Sequence, residues 1–413
     1  MIRTQNDDLD QKLASPDFFL DPYPVYQELR EQAPVYWSQV LHSWVLTRYA
    51  DILASLRESH LLSSAGRMVS LLDQLPAPLR ENLRMVDCHY AATLPFMNPP
   101  DHTRVRALLG KSFNTQVVER MRPQIQGLVD NLLDLVRSRG QMDVVWDLAY
   151  PLPITVISIL LGVPAEDRDQ FKRWTYEIFG IFSSGRALAE TSECGKQSLI
   201  EARNYLTGLI AQRRCEPRED LISQLIAAEE RGERLTAEEL LANCVTLYVA
   251  GHETTTGLIG NGVVALLRNP EQLAKLRKDT TLIGSTVEEI LRYDGSLQRN
   301  WRLATADLEI AGKQIRKGEM VSQLLGAANR DPAQFSEPDR FDITRRDNRH
   351  LGFGYGLHFC IGATLARIET QIAIQTLLLR FPEMALENER VEWRSDYTFR
   401  SLKALPVVFH PAY

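Results

Sequence analysis

The sequence predicts a mainly α-helical protein with a small β part, built around one long central helix. Helical periodicity dominates the chain, whereas runs that fit strands are few and short. One helical pattern of about 33 residues is apolar on nearly all sides, which is typical of a helix inside a core. No internal repeat, low-complexity tract or Gly/Ser-rich linker divides the 413 residues, so we expect a single domain over 1–413.

The central helix begins at Thr236, because Thr236-Ala237-Glu238-Glu239 fits a capping box, and it ends just before Asn269-Pro270. Its most apolar stretch, Cys244–Leu267, is long enough to cross a bilayer. A polar run at His252–Thr256 interrupts that stretch at its middle, and hydrocarbon does not accommodate such a run cheaply. We therefore expect this helix in a protein core.

Other helices are predicted from the same periodicity. One pattern covers Val117–Ser138, with Asn114 or Thr115 as its cap. Pro123 lies inside this pattern and predicts either a kink or the start of a second helix. Two further helical patterns are Ser198–Arg213 and Glu271–Leu276.

The strand signals cluster near 30–60, 300–325 and 395–410. Val35-Tyr36-Trp37 and Trp44–Thr47 flank a turn-length gap and predict a hairpin. Leu308–Ile310 and Met320-Val321 predict a second one. Ala404–Phe409 predicts a last strand, and Pro406 within it indicates an edge position.

Composition excludes several classes of protein. The 47 basic and 53 acidic residues give a net charge of 47 − 53 = −6, which disfavours a nucleic-acid binder. The five cysteines are odd in number and far apart, unlike a secreted disulfide framework. Residues 1–10 carry no apolar signal core. We expect a soluble protein of the reduced cytoplasm that binds no membrane.

The segment Phe353–Gly362, Phe-Gly-Tyr-Gly-Leu-His-Phe-Cys-Ile-Gly, is the most informative in the chain. Gly354 and Gly356 allow tight turns before Cys360, and Gly362 allows close approach just after it. A helical pattern follows, so Cys360 lies at a helix N-terminus, where free N–H groups stabilise a thiolate. A thiolate in such a loop can approach a flat, bulky iron ligand from one side.

Other interpretations of this loop fit less well. A zinc site needs several Cys or His ligands, and only His358 lies that close to Cys360. A dinucleotide-binding loop needs a third glycine where Phe359 stands. A lone cysteine is usually a small buried hydrophobe, and that interpretation fits the four without comparable flanks: Cys88, Cys194, Cys215 and Cys244.

The pattern Phe-Gly-x-Gly-x-His-x-Cys-x-Gly resembles the haem-binding loop of the cytochrome P450 monooxygenases, in which a cysteine thiolate binds the iron. The resemblance extends from Asp21-Pro22-Tyr23-Pro24 to the last strand. It implies a single haem-enclosing domain with haem b as cofactor. It also implies Cys360 as the axial iron ligand, with Phe353 and Gly354 against the haem.

Glu289-Ile290-Leu291-Arg292 places an acid and an arginine at i and i+3, which alone predicts only a surface ion pair. Its distance ahead of Cys360 is similar to that of the family's Glu-x-x-Arg pair. By resemblance, Glu289 and Arg292 join a third residue, Arg340, and stabilise the backbone behind the haem.

Ala250–Thr255, Ala-Gly-His-Glu-Thr-Thr, lies midway along the central helix. A zinc-protease motif would need a second histidine here, and a few polar residues satisfied inside a core helix are the common outcome. However, Ala250 and Gly251 remove side-chain bulk from one face, and Thr254 can bond back to the carbonyl of Ala250. The segment resembles the family's oxygen-activating groove, which implies that Thr254 orients water and that Glu253 relays protons.

The haem propionates need cationic or donor partners. By resemblance these are His102 and Arg106, at i and i+4 on one helix face, together with Arg302 and His358. Arg104 is expected to be solvated.

Substrate-cavity residues follow only by analogy with the family, which places Met85–Met97 and Ile178–Phe182 at the cavity. Their mainly apolar character predicts a hydrophobic substrate, and Arg84 or Arg400 is a candidate anchor for a carboxylate. The residues predicted to line the cavity are Phe96, Phe179, Val249, Ala250, Leu297, Gln298 and Phe399.

The resemblance is to soluble bacterial members without a fused reductase, so we expect a monomer that receives electrons from a separate ferredoxin and its reductase. Candidates for a basic docking patch are Arg104, Lys111, Arg345 and Arg346.

We interpret the chain as an O₂-dependent hydroxylase or epoxidase of a polyketide-type secondary metabolite, a terpenoid or a fatty-acyl compound. Two alternatives stay open: a peroxide-driven peroxygenase, which the intact Glu253-Thr254 pair disfavours, and a non-catalytic haem-thiolate carrier or sensor.

Overall fold

A 32-residue helix, Ala237–Arg268, runs through the middle of the computed structural model, which describes residues 7–73, 75–182, 186–230 and 235–410. At 1.5 Å per residue it is about 48 Å long. Thr236 and Glu239 form the predicted capping box, in which each side chain accepts a hydrogen bond from the backbone N–H of the other. Most of the helix is buried, so the predicted core helix is confirmed.

Helices make up most of the described residues, as the sequence predicts. In chain order they are α1 (Asp7–Ala14), α2 (Pro16–Leu20), α3 (Tyr23–Gln32), α4 (Tyr49–Arg57), α5 (Arg67–Leu72), α6 (Ala77–Asn82), α7 (Arg84–Ala91), α8 (Asp101–Ser112), α9 (Thr115–Arg120), α10 (Arg122–Asp134), α11 (Pro151–Leu161), α12 (Arg168–Phe179), α13 (Arg186–Cys215), α14 (Leu221–Glu230), α15 (Ala237–Arg268), α16 (Pro270–Lys278), α17 (Ile283–Asp294), α18 (Leu325–Ala328) and α19 (Ala363–Arg380).

The helical pattern over Val117–Ser138 is two helices, α9 and α10. Asn114 caps the first, because its side chain accepts a hydrogen bond from the N–H of Val117 at 3.0 Å. Pro123 lies in the first turn of α10, where the missing N–H costs nothing, so the predicted second start is confirmed. The patterns at Ser198–Arg213 and Glu271–Leu276 lie within α13 and α16.

The strands within the described residues form four small sheets. The largest has the order β1-β2-β8-β5-β3, and a three-stranded sheet has the order β4-β12-β9. The strands are β1 (Val35–Ser38), β2 (Ser43–Leu46), β3 (Leu62–Ser63), β4 (Gln141–Asp143), β5 (Arg299–Ala304), β6 (Leu308–Ile310), β7 (Lys313–Ile315), β8 (Met320–Leu324), β9 (Ala385–Leu386), β10 (Glu392–Trp393), β11 (Leu402–Ala404) and β12 (Pro406–Val408).

The first predicted hairpin is confirmed by the antiparallel pair β1–β2, and the second is wrong. β6 pairs with β7 across a two-residue turn in which Ala311 and Gly312 both have positive φ, the geometry that favours a tight hairpin. β8 instead lies between β2 and β5 in the larger sheet.

The prediction of one final edge strand is also wrong. Leu405 separates β11 from β12, and β12 is the middle strand of its sheet. Pro406 is tolerated there because it is the first residue of the strand, and its carbonyl still accepts a hydrogen bond from the N–H of Glu387 at 3.1 Å.

The core surrounds α15, which packs against α11, α17 and α19. Among the described residues, the segment Val144–Leu161 has the length and hydropathy of a membrane-spanning helix. Two thirds of it is buried inside the protein, and α11, its second part, packs on α15. Its apolar character is therefore that of a core segment.

Candidate active site

The cysteine loop has the backbone geometry that its glycines predict. Gly354 and Gly356 have φ of +71° and +69°, a region that other residues avoid. The N–H of Cys360 donates to the carbonyl of Phe353 at 2.9 Å, which closes the loop. A Cβ at Gly362 would lie 4.0 Å from Cys360 Sγ, so this residue packs directly against the thiol. α19 begins at the next residue.

The thiol of Cys360 is exposed to a cavity although protein atoms surround it on its other sides. Burial raises its pKa, while a backbone hydrogen bond from Gly362 and the charges of Arg106 and Arg367 oppose that rise. The hydrogen bond from Gly362, the residue just before α19, acts in the predicted direction and favours the thiolate, while desolvation opposes it. A coordinated metal ion deprotonates a thiol outright, so metal ligation is the step that fits this environment.

The cavity has a volume of about 300 Å³ and extends from Cys360 to the middle of α15. The Phe353 ring forms part of its wall and lies 4.5 Å from the Arg367 guanidinium. Gly354 also lines it, as predicted. Aliphatic and aromatic side chains dominate the rest of the wall: Leu94, Leu109, Phe113, Ile157, Leu247, Leu258, Leu291, Leu297, Ile361 and Leu365.

All four predicted propionate partners lie on one wall of this cavity. Arg302 donates to the carbonyl of Trp301 at 2.9 Å, and burial lowers its pKa to about 10. Arg106 donates to the carbonyl of Phe359 at 2.7 Å. The two histidine rings, of His102 and His358, lie 4.3 Å apart between their centroids.

Burial disfavours the charged form of both histidines. Burial lowers the pKa of His358 to about 2, and the charge of Arg302 lowers it further. The pKa of His102 is lowered for the same reasons. Ser64 Oγ lies 2.9 Å from His358 Nε2, whereas both ring nitrogens of the fully buried His102 have no hydrogen-bond partner. An orphaned buried imidazole beside two arginines is the donor set that an acidic group of a bound cofactor would satisfy.

Sequence reasoning missed two ionisable residues that line this cavity. Arg67, the first residue of α5, lies beside Arg302 and is 4% exposed. Glu369 of α19 is 1% exposed, its Oε2 has no partner, and burial raises its pKa well above the ordinary value. The signal for Glu369 was helical spacing, since it lies one turn after Leu365, whereas nothing local marks Arg67.

The segment Ala250–Thr255 of α15 presents Ala250 and Thr254 to the cavity. Thr254 Oγ1 donates to the carbonyl of Ala250 at 2.9 Å, as predicted. Gly251 also lines the cavity, as predicted, and a Cβ at this residue would lie 3.4 Å from Ile157 of α11, so the glycine also lets α11 approach.

Glu253 points to another side of α15, because consecutive helical residues are about 100° apart. It is 2% exposed, its Oε2 lies 3.7 Å from Arg394 Nη1, and its Oε1 has no hydrogen-bond partner. Burial raises its pKa, which the Arg394 charge partly opposes. The neighbouring His252 is buried against the Tyr150 ring, and its Nδ1 lies 3.9 Å from Glu253 Oε1.

The arginine that joins Glu289 and Arg292 is Arg345 and not Arg340, which corrects the prediction. Arg292 donates to Glu289 at 2.7 and 2.8 Å, and Arg345 Nε lies 3.2 Å from Glu289 Oε2. Arg340 supplies only its carbonyl, to Arg292 at 2.9 Å, while its side chain pairs with Glu337 at the surface. The Arg340 guanidinium is exposed, whereas Ile343 is buried and Arg345, two residues later, turns inward to Glu289.

Of the residues predicted one by one to line the cavity, Ala250 and Leu297 belong to the wall that the described residues form, and so do Leu94 and Pro95 of the predicted stretch Met85–Met97. Leu297 and Gln298 alternate along extended backbone, so Gln298 points away and donates to the carbonyl of Gly295. The side chain of Phe182 lies outside the described residues. The remaining predicted residues pack elsewhere: Phe96 under the Arg67 guanidinium, Phe179 against Phe399, and Val249 in the core.

Several predicted free cations are committed to other contacts. Arg400 pairs with Asp294 at 2.6 Å and lies 3.6 Å above the Trp393 ring, so it cannot anchor a substrate. Arg84 is an exposed residue near Glu81. Arg104 is not simply solvated, because it bonds to Glu239 at 2.6 Å.

Within the described part of the chain, His, Cys, Asp and Glu side chains form no group of three that could hold a metal ion by themselves. The single thiol, the flat glycine loop and the basic wall together fit a planar metal cofactor with acidic edge groups. The family model "Cytochrome P450" matches residues 80–402. The chain belongs to the cytochrome P450 family. It is therefore a haem-iron monooxygenase, as its relatives are, which act on small molecules with O₂.

Similar P450s span nearly all of this chain. "Biotin biosynthesis cytochrome P450" of Bacillus subtilis is 40% identical over 401 residues, 96% of this chain and 98% of that protein. The structure of P450BioI in complex with hexadec-9Z-enoic acid ligated acyl carrier protein has a TM-score of 0.85, 39% identity, and coverage of 96% and 100%. Myxobacterial CYP267B1 in complex with myristic acid has a TM-score of 0.87, 39% identity, and coverage of 97% and 99%.

Proposed function

We propose that this P450 inserts one oxygen atom from O₂ into a hydrophobic acyl chain, by hydroxylation or epoxidation, with haem b as its cofactor. The observation that carries the proposal is the apolar wall of the cavity between Cys360 and Thr254. Such a wall selects for methylene chains, since burial of each CH₂ contributes about 0.8 kcal/mol. The acyl ligands in two similar structures support this substrate class.

In this proposal Cys360, Phe353 and Gly354 hold the haem from one side, and His102, Arg106, Arg302 and His358 bind its propionates. Bound haem supplies the iron centre at which O₂ is reduced and activated. The protein supplies the protons that this reduction consumes and keeps the reacting carbon in place.

Thr254 is proposed to orient a proton donor in the cavity. Its hydroxyl proton is held by the Ala250 carbonyl, so its oxygen is left to accept a hydrogen bond from water. Because Thr254 is on the cavity wall, this water lies next to the reaction site.

Glu253 is proposed to deliver the protons. Its raised pKa means that the carboxyl retains a proton at higher pH than an exposed glutamate. Arg394, whose Nη1 lies 3.7 Å from Glu253, is partly exposed and lies over the Tyr176 ring. Arg394 thereby connects the Glu253 carboxyl to the surface. Rotation of the Glu253 side chain from Arg394 toward Thr254 would carry a proton from this surface to the cavity.

The test compares Thr254→Ala with Thr256→Ala. The Thr256 hydroxyl bonds to the carbonyls of Ala149 and His252, away from the cavity, so it is the matched control. We expect Thr254→Ala to bind haem normally but to lose product per NADPH by at least about tenfold, with peroxide or water formed instead. An unchanged yield per NADPH in Thr254→Ala would contradict the role of Thr254.

Turnover of the wild type with a surrogate ferredoxin system, NADPH and tetradecanoic or hexadecanoic acid tests the reaction itself. Oxidised product supports the monooxygenase. If hydrogen peroxide alone gives the product as fast as the ferredoxin system does, the protein is a peroxygenase. If the acid binds tightly but no product forms, the protein is a carrier or sensor. The reduced, carbon-monoxide-bound spectrum tests Cys360 separately, since a thiolate ligand gives a characteristic red shift.

A separate ferredoxin and its reductase are the proposed electron donors to a monomeric cytoplasmic enzyme. Two members of the predicted docking patch are neutralised, Arg104 by Glu239 and Arg345 by Glu289. The exposed Arg346 therefore carries the proposal. Arg346→Glu should slow reduction more than Arg84→Glu does, and equal rates in the two variants would overturn the proposed docking site.

A further inference from the structure

Arg67 is a buried cation on the cavity wall to which the proposed function gives no role. Its side chain is 4% exposed, and it lies between the Phe96 ring, 4.3 Å from the guanidinium carbon, and the Trp301 ring at 5.4 Å. It also borders the cavity that holds Cys360. A charge in such a place is costly unless an opposite charge accompanies it.

The Arg67 guanidinium donates to neutral oxygens. Nε donates to the carbonyl of Ser64 at 2.8 Å. Nη1 donates to the carbonyl of Trp301 at 2.9 Å and to Asn300 Oδ1 at 3.2 Å, and Nη2 donates to the carbonyl of Pro95. Four of the five N–H groups are thereby used, and the positive charge itself is not neutralised.

This wall carries one more positive charge than the two haem propionates can neutralise. Within the described residues, Arg67, Arg106 and Arg302 form no ion pair with a carboxylate, and each donates to carbonyl or amide oxygens. Glu369, which also lines the cavity, makes no contact with them. The two haem propionates would neutralise two of the three guanidiniums, so 3 − 2 leaves one positive charge.

A second observation also indicates an anionic ligand here. His102 is completely buried on the same wall, and neither ring nitrogen has a partner. A buried imidazole without partners indicates that a group from outside the chain completes its hydrogen bonds. The orphaned imidazole shows that this wall is built for an acidic ligand, and the wall has one guanidinium more than two propionates would neutralise.

We infer that Arg67 binds a carboxylate in the cavity, either a haem propionate or the carboxylate of an acyl substrate. The inference rests on the proposed function, because both sources of the carboxylate come from it. An amphipathic acid would place its head at this basic wall and its chain along the leucine-rich remainder of the cavity. This would make the basic wall a determinant of substrate orientation.

The competing explanation is that Arg67 is only a structural link between α5, Pro95 and β5. Arg330 is the matched control for such a role. It too is a buried, stacked guanidinium, 3.5 Å from the Tyr23 ring and 3.9 Å from the Tyr293 ring, and it donates to the Tyr293 carbonyl. Unlike Arg67, it has an acidic partner in the chain, Asp339, and lies away from the cavity.

The experiment uses the haem-loaded variants Arg67→Gln, Arg67→Lys and Arg330→Gln beside the wild type. Haem loss is followed as transfer to apomyoglobin. Binding of tetradecanoic acid and of tetradecan-1-ol is followed by the change in haem spin state. If Arg67 binds a propionate, Arg67→Gln should lose haem about 10 to 100 times faster than the wild type. If Arg67 binds a substrate carboxylate, Arg67→Gln should bind tetradecanoic acid about 10 to 100 times more weakly and bind tetradecan-1-ol with unchanged affinity.

Arg67→Lys keeps the charge and should retain part of whichever effect is seen, whereas Arg330→Gln should show neither. The inference is overturned if Arg67→Gln changes neither haem loss nor the acid-to-alcohol ratio, or if Gln and Lys at this position behave alike. If Arg67→Gln does not fold, Arg67→Lys provides the test. Its haem-loss rate or its ratio of affinities for the acid and the alcohol should differ from the wild type, because lysine cannot make the forked contacts of a guanidinium. The carbon-monoxide spectrum of the wild type separates failure of this inference from failure of the proposed function.

Discussion

Replacing Arg345 by methionine tests which arginine completes the buried ion cluster behind the cysteine loop. Arg345 is 11% exposed and its partner Glu289 is fully buried. The substitution removes the Glu289 contact and three hydrogen bonds to the carbonyls of Ser336, Glu337 and Arg340. The aliphatic stem is kept, so packing changes little.

The size of the effect follows from burial. Removing one partner of a buried ion pair costs about 3 to 5 kcal/mol, and the low end applies because Arg292 still pairs with Glu289 at 2.7 Å. Unfolding entropy of about 2.1 cal/mol/K per residue amounts to about 0.9 kcal/mol/K for a chain of this length. The variant should therefore unfold about 3 °C below the wild type.

Arg340→Met is the matched control, since this side chain is 53% exposed and pairs only with the exposed Glu337. Such a surface pair contributes at most about 1 kcal/mol, so the midpoint should change by about 1 °C or less. Scanning calorimetry of both haem-loaded proteins gives the comparison. A larger loss in Arg340→Met than in Arg345→Met would refute the reasoning and restore Arg340 as the partner.

Three further substitutions test local features, each by calorimetry against the wild type. Thr236→Ala removes the capping box of α15 and should cost about 1 kcal/mol, or about 1 °C; no change would mean that packing alone sets this helix end. Gly162→Ala places a Cβ against the Asp220 side chain at a φ of +76° and should disrupt its pairing with Arg213, with a loss of at least about 1 kcal/mol; a stabilised variant would contradict this. Glu369→Gln should stabilise the protein at pH 7 but not near pH 4. The pKa of Glu369 is raised in the folded protein, so the wild type is most stable below the pKa that Glu369 has in the unfolded chain and loses stability as the pH rises toward the folded pKa. A stability difference between Glu369→Gln and the wild type that is the same at all pH values would contradict this.

Local signals made the cysteine loop and the central helix predictable from sequence. The glycines at 354 and 356 are required by positive φ, and the Thr236 capping box is complete within four residues. The pairing of Glu289 with Arg292 was equally predictable from sequence, because residues three apart lie on one face of a helix. Each of these features depends on backbone geometry within one or two turns.

Tertiary choices were not predictable in this way. Arg340 and Arg345 lie in the same loop, and how this loop packs against Glu289 decides which guanidinium turns inward. Gln298 and Leu297 likewise differ only in which face of an extended segment meets the cavity. Sequence order contains no information about these orientations, because long-range packing sets them.

The cavity divides into a basic end and an apolar remainder, and this division constrains what can bind productively. Arg67, Arg106 and Arg302 mark the basic end, whereas Thr254 lies on α15 among aliphatic side chains. Displacing a carboxylate from the basic end would leave a buried guanidinium unpaired, whereas sliding a methylene chain along the leucines costs little. An acid anchored there would therefore present a carbon along its chain to the site of oxidation and keep its head group away from Thr254. A neutral chain lacks that anchor, so the wall predicts a narrower distribution of oxidised positions for an acid than for the alcohol of equal length.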